Sequence, residues 1–178
     1  GSVDGKEANA WHNRALRDLL PAFIDRDDFA LLDIGCGRGR VARIVKDVFP
    51  GARVYGTDIS EEQIARAREF LPEGNFFVAN EISLPFADDA FDYVTCRMSI
   101  HHYPDMPRHL REVKRVLRPG GWYLIIDAMP APGEQDRWLN EVFLARERDG
   151  VGDGHLKFYT AGEYERFFAD AGLLPGQR

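Results

Sequence analysis

The chain has 178 residues, 44% of them hydrophobic and 29% charged, which is the make-up of one globular domain with a sizeable core. Its net charge is -6, with 29 acids against 23 Lys and Arg. That balance argues against a general nucleic-acid binder, since phosphate recognition needs a positive surface. Cys36 and Cys96 form no CxxC pair and no disulfide framework, so two reduced thiols in a cytoplasmic setting are expected. No apolar run approaches a membrane span, and no signal peptide is visible. Gly1-Ser2 reads as a tag remnant.

The elements alternate along the chain. Lys6 to Leu20 suits a helix with Trp11, Ala15 and Leu19 on one stripe, ended or kinked by Pro21. "FALLDI" (29–34) is a near-continuous apolar run, as expected of a strand covered on both faces. "GRVARIVKDVF" has helical spacing, and Pro50-Gly51 punctuates it. "ARVYGTDI" reads as a second strand. Ser60 and Gln63 open the next helix with a capping box, and Pro72 closes it. "GNFFVAN" is a third strand, "EISLPFADDA" a loop and "FDYVTCRM" a fourth strand. "MPRHLREVKRVL" reads as a helix, Pro119-Gly120-Gly121 as a turn and "WYLIID" as a fifth strand. The later part holds a helix at "DRWLNEVFLARER", a glycine-rich segment "DGVGDGHLK", and a last helix capped by Thr160 and Glu163 and stopped by Gly172. Strands alternating with helices over this distance predict a parallel sheet with helices on both faces.

In such a sheet a ligand binds beyond the carboxyl ends of the strands. "LLDIGCGRGR" (31–40) turns there. Its glycines permit positive φ and close approach of the backbone. A dinucleotide pattern G-x-G-x-x-G/A starting at Gly35 fails at its sixth position, which is Arg40. No P-loop pattern exists in the chain. Asp33, two residues before Gly35, would repel a pyrophosphate and suit a cation. Asp58 ends the second strand 23 positions after Gly35 (58 minus 35), where a carboxylate can accept from two ribose hydroxyls. The pattern asks for a ligand with a ribose, a positive group and no phosphate.

These residues resemble a known family. "LLDIGCGRG" is similar to motif I of class I S-adenosylmethionine-dependent methyltransferases, and "VYGTDIS" to the segment carrying their ribose acid. "ANEISLPFADDAFDYVTCRMSIHHYPD" and "LREVKRVLRPGGWYLIID" resemble the later motifs, with a weaker echo in "HLKFYTAGEYERFFADAGL". The whole resembles the type 11 subfamily, similar to ubiquinone/menaquinone C-methyltransferases. The resemblance implies an α/β, Rossmann-like doubly wound sheet of parallel strand order 3-2-1-4-5, and an enzyme using S-adenosyl-L-methionine on a small molecule. It implies cofactor contacts at Asp33 (amino group), Gly35, Cys36 and Gly37 (close backbone), Asp58 (ribose) and Ile59 (adenine face). It implies further contacts at Asn80, Glu81 and Ile82 (adenine edge) and at Arg97 beside the methionine. Relatives usually carry Asp at position 80. The family's C-terminal antiparallel hairpin is absent from "LLPGQR", which leaves the fifth strand an apolar edge. The expectation is a truncated piece of a longer protein, or a homodimer that covers the edge. One domain is expected over 1–178: a helical cap (1–28), a cofactor core (29–127), a variable lid (128–160) and a last helix (161–178).

Methyl transfer from a sulfonium is an in-line displacement, so the protein mainly positions donor and acceptor. A base helps where the acceptor has a proton to lose. His101 and His102 follow the fourth strand and are the candidate catalytic residues; Trp11, His12, His155 and Tyr159 are further candidates with packing as the bland reading. Arg108, Arg111, Arg115 and Arg118 read as a solvated basic stripe, and Asp88 and Asp89 as turn residues. No metal site and no nucleic-acid or membrane partner is expected. Two other readings remain open: a non-catalytic S-adenosylmethionine-binding regulatory module, and a nicotinamide-dependent oxidoreductase.

Overall fold

A computed structural model of the chain describes residues 5–127 and 158–173, with side chains in the first helix described from residue 13 onward, Ala15 excepted. The side chains of Trp11 and His12, the helix read at 136–148, and His155 lie outside the described residues. The elements run α1 (Gly5–Phe23), β1 (Ala30–Ile34), α2 (Arg40–Val48), β2 (Arg53–Asp58), α3 (Glu61–Phe70) and β3 (Asn75–Val78). They continue with β4 (Phe91–Arg97), a 3-10 turn (Ile100–His102), α4 (Met106–Val116), β5 (Leu117–Ile126) and α5 (Ala161–Ala171). The five strands form one parallel sheet in the order β3-β2-β1-β4-β5, as the sequence predicts.

The central strand explains the apolar run. All five residues of β1 are buried, because its side chains alternate between two cores. Leu31 joins the core under α1, α2 and α3. Ala30, Leu32 and Ile34 join the core under α4 and α5. Each fully buried Leu stabilises by about 1.5–3 kcal/mol relative to exposure.

The caps follow the local sequence. The Ser60 hydroxyl accepts from the Gln63 N–H, and Thr160 forms a complete capping box with Glu163. Gly172 ends α5 at φ 68°.

Pro21 lies in the last turn of α1, which ends two residues later at Phe23. Two expectations are corrected. The Pro119-Gly120-Gly121 stretch is not a turn ahead of a strand. β5 starts at Leu117, directly after α4, and the stretch is an irregularity within it. Leu117 pairs with Phe91 and Trp122 pairs with Tyr93, so the extra residues bulge out. Gly120 takes φ 78°, and a Cβ on Gly121 would stand 2.7 Å from the Asp92 carbonyl oxygen. The basic stripe is also not a solvated face throughout. Arg115 donates to the Phe86 and Leu84 carbonyls (2.7 and 3.0 Å) and pairs with Glu112. Arg118 lies in β5 and pairs with Asp92 at 2.8 Å. Among the described residues, no helix is long and apolar enough to cross a membrane.

Candidate functional site

The glycine turn is built by conformation and space. Gly35, Gly37 and Gly39 all have positive φ (70°, 50° and 75°). At Gly35 a Cβ would stand 2.0 Å from Ser99 Oγ, so the residue lets the turn pack against the segment after β4. At Gly37 a Cβ would meet nothing within 4 Å, so the backbone faces open space. At Gly39 a Cβ would stand 3.0 Å from the Phe76 ring and 3.4 Å from Ala67 Cβ. Close packing of the helix start is thus done by Gly39, one position before the register in which a dinucleotide site has its third glycine.

The turn opens into a cavity of about 810 Å³ beyond the strand ends. Its wall includes Gly35, Gly37, Asp58, Ile59, Asn80, Glu81 and His102 from the sequence-derived set. Asp58 ends β2. Its Oδ2 accepts from Gly37 N–H and its Oδ1 from Ser60 N–H, both at 2.9 Å. The carboxylate therefore ties the glycine turn to the start of α3 while presenting to the cavity. Ile59 is 72% exposed, an apolar side chain with little protein cover at the wall. Asn80 Oδ1 accepts from Ile82 N–H at 3.2 Å.

Five expected residues stand outside that wall. Asp33 is buried and accepts from Thr95 Oγ1 at 2.8 Å. Burial pushes its carboxyl up to about 7, against the hydrogen bond from Thr95. Cys36 is buried, and its N–H donates to the Thr57 carbonyl at 2.9 Å. Burial raises the Cys36 thiol and pushes Cys96 up to about 12, so neither is a ready nucleophile. The Arg97 guanidinium donates to Asn13 Oδ1 at 3.1 Å, which brings α1 over the end of β4. Ile82 turns back through its N–H onto Asn80. His101 is buried below the cavity.

The two histidines separate by role. His102 lines the cavity. His101 Nδ1 lies 2.7 Å from Asp127 Oδ1, and both side chains are almost wholly buried. A carboxylate oxygen accepts here, so Nδ1 carries a proton. The His101 ring packs 4.3 Å from His102 and 4.9 Å from Phe158. Asp127 was missed because its partner lies 26 positions away, across the β4–β5 boundary. Tyr159 packs on Tyr164 and Phe167, as its bland reading had it.

Other wall residues carried no sequence signal. Met98 has φ 50°, rare for a branchless apolar side chain, and is 43% exposed at the wall. Ser99 Oγ donates to Tyr103 Oη at 2.9 Å, and both line the cavity. Among the described residues, no group of three or more His, Cys, Asp or Glu could hold a metal ion.

The model of the methyltransferase domain family matches residues 32–125, more than half of the chain. The chain belongs to this family, the class I, type 11 methyltransferases, whose members use S-adenosylmethionine. The 27-O-demethylrifamycin SV methyltransferase of Amycolatopsis mediterranei is 35% identical over 176 residues, covering 96% of this chain and 62% of the relative. The demethylmenaquinone methyltransferase of Thermus thermophilus is 34% identical over 140 residues, covering 76% of this chain and 62% of the relative. Among solved structures, the YcgJ protein of Bacillus subtilis aligns with a TM-score of 0.75 at 30% identity, covering 89% of this chain and 68% of that one. This methyltransferase domain thus spans less than two thirds of the curated relatives' length. Its cavity also fits the family's cofactor. Gly37 offers open backbone, Asp58 a paired acceptor, and Ile59 an uncovered apolar face.

Proposed function

We propose that the chain is the cofactor-binding domain of a methyltransferase that transfers the methyl of S-adenosylmethionine to a small-molecule acceptor. The observation that carries this reading is one cavity that joins the open Gly37 backbone, the Asp58 carboxylate and Ile59 to the His102 imidazole. The names of two relatives state small acceptors, a rifamycin and a menaquinone precursor. The cofactor supplies an activated methyl on a sulfonium; the chain supplies position and, for an acceptor with a proton to lose, a base.

In this reading Asp58 accepts from the ribose, Ile59 packs on the adenine, and Asn80, Glu81 and Ile82 border its edge. Asp33 balances the positive end from below, beside the Cys36 and Arg97 backbone. His102 takes the acceptor's proton at the cavity wall. The Asp127–His101 pair fixes the ring against which His102 rests. The domain extends over 1–178, with acceptor contacts from 6–28 and 128–158. Two unpaired buried thiols suit the cytoplasm. Among the described residues β5 ends the strand order, and in this reading another strand or a second copy pairs with its edge.

Titration calorimetry and product release test the proposal together. The expected result is binding of S-adenosylmethionine and none of NAD, with release of S-adenosylhomocysteine in a metabolite panel. His102→Ala should lower kcat by roughly 10²–10⁴-fold, the usual weight of a general base, without abolishing cofactor binding. Binding without turnover against any acceptor would favour a regulatory module, and NAD binding alone would overturn the cofactor.

A further inference from the structure

His109 is a buried histidine with a partner at each ring nitrogen. It sits on α4 and is fully enclosed. Its Nδ1 lies 3.1 Å from the Glu81 carbonyl oxygen, and its Nε2 lies 2.7 Å from Tyr123 Oη. A carbonyl oxygen can only accept, so Nδ1 carries the proton. Nε2 then holds the lone pair and accepts from the Tyr123 hydroxyl. Burial agrees with this neutral form, since it lowers the imidazole to about 4. The Tyr103 ring packs 4.8 Å away on one side and Tyr123 5.8 Å on another.

The Glu81 end of this arrangement is at the cavity. Glu81 and Asn80 both line the wall. Asn80 Oδ1 accepts from Ile82 N–H at 3.2 Å. The Glu81–Ile82 peptide is therefore held at both ends, its carbonyl by His109 and its N–H by Asn80. Farther along, the same loop is held by Glu112, whose Oε2 accepts from Leu84 N–H at 2.8 Å, and by Arg115. Of these three side chains of α4, His109 bonds nearest the wall residues, and it links them to both α4 and β5.

We infer that His109 is a positioning residue that acts through the Glu81 carbonyl to hold the Asn80–Ile82 rim of the cavity in its binding geometry. This rests on the cofactor reading above for the identity of the ligand, but not for the clamp itself. Loss of the Nδ1 donor frees the peptide to rotate, and the rim loses its preset shape. A ligand must then order the rim as it binds, so affinity falls while the chemical step does not.

His109→Leu keeps an apolar side chain of similar volume and removes both bonds. His109→Gln keeps one donor and one acceptor. Val113→Ala, one turn along α4 and equally buried, is the control for loss of packing alone. The measurements are S-adenosylhomocysteine affinity by calorimetry, kcat at saturating cofactor, and hydrogen exchange at the Ile82 amide. His109→Leu should weaken binding about tenfold, the order expected for one lost buried hydrogen bond, and speed Ile82 exchange. kcat should stay unchanged, and His109→Gln should recover most of both losses. Val113→Ala should leave affinity and Ile82 exchange as they are. Equal effects of His109→Leu and Val113→Ala would overturn the inference. Should His109→Leu not fold, Tyr123→Phe, which removes the hydroxyl and keeps the ring, should shift affinity and exchange in the same direction; no shift would overturn it. A wild-type protein that binds no cofactor defeats the cofactor reading, and Ile82 exchange still decides the clamp.

Discussion

Asp33 is a carboxyl group sealed under the strand ends. Burial raises its folded pKa to about 7, above an unfolded value of roughly 4. Between those two values the folded state binds more protons than the unfolded state. Stability is then fully present below about pH 4 and is lost as pH rises through about 7. Urea unfolding at pH 5.5 and pH 8 should show this slope for the wild type, and Asp33→Asn should remove this contribution. The glycines give a second contrast at this scale. Gly35→Ala should destabilise strongly, because its Cβ would meet Ser99 at 2.0 Å and its φ is positive. Gly37→Ala should cost only about 1–2 kcal/mol for its left-handed backbone, yet put a methyl into the cavity and weaken cofactor binding. Thermal melts and calorimetry on both variants separate the two effects. The positive φ of these glycines was legible in the sequence. Their different surroundings were not, since Ser99 reaches Gly35 only after β4 pairs with β1.

Elements were legible where local rules act alone. The apolar run of β1, the Ser60 and Thr160 caps and the Gly172 stop all follow from short-range chemistry. The α4–β5 junction was not legible. Pro-Gly-Gly has strong turn character, but pairing of Leu117 with Phe91 draws the whole stretch into the ladder. Asp92 anchors that junction. It accepts from Ala30 N–H and from Arg118, both at 2.8 Å, and pairs with Arg26. Burial pushes its carboxyl up, but these donors outweigh that and hold it below the usual range. Asp92→Ala should destabilise by about 1–3 kcal/mol, discounted for the exposed arginines. The loss should shrink as pH falls through the depressed pKa, where the wild type also loses the pair. Chemical denaturation across pH 3 to 7 checks both.

At the scale of the whole molecule, the cavity lies where strand order reverses, between β1 and β4. A ligand that binds only the folded state stabilises it by mass action. S-adenosylhomocysteine at a hundredfold excess over its Kd should add about 2.7 kcal/mol, read as a higher Tm, and NAD at the same concentration should add nothing. The sequence by itself determined the alternation of strands and helices, the strand order through the family pattern, and the glycine turn with Asp58 beyond it. These depend on contacts within a few residues or on motifs carried intact. Only the tertiary structure decided that His102 meets the cavity while His101 lies beneath it on Asp127. It also decided that Arg97 reaches Asn13 across 84 positions and that His109 joins Glu81 to Tyr123. Such partners are chosen by how helices dock on the sheet, which sets side chains from distant segments within hydrogen-bond reach.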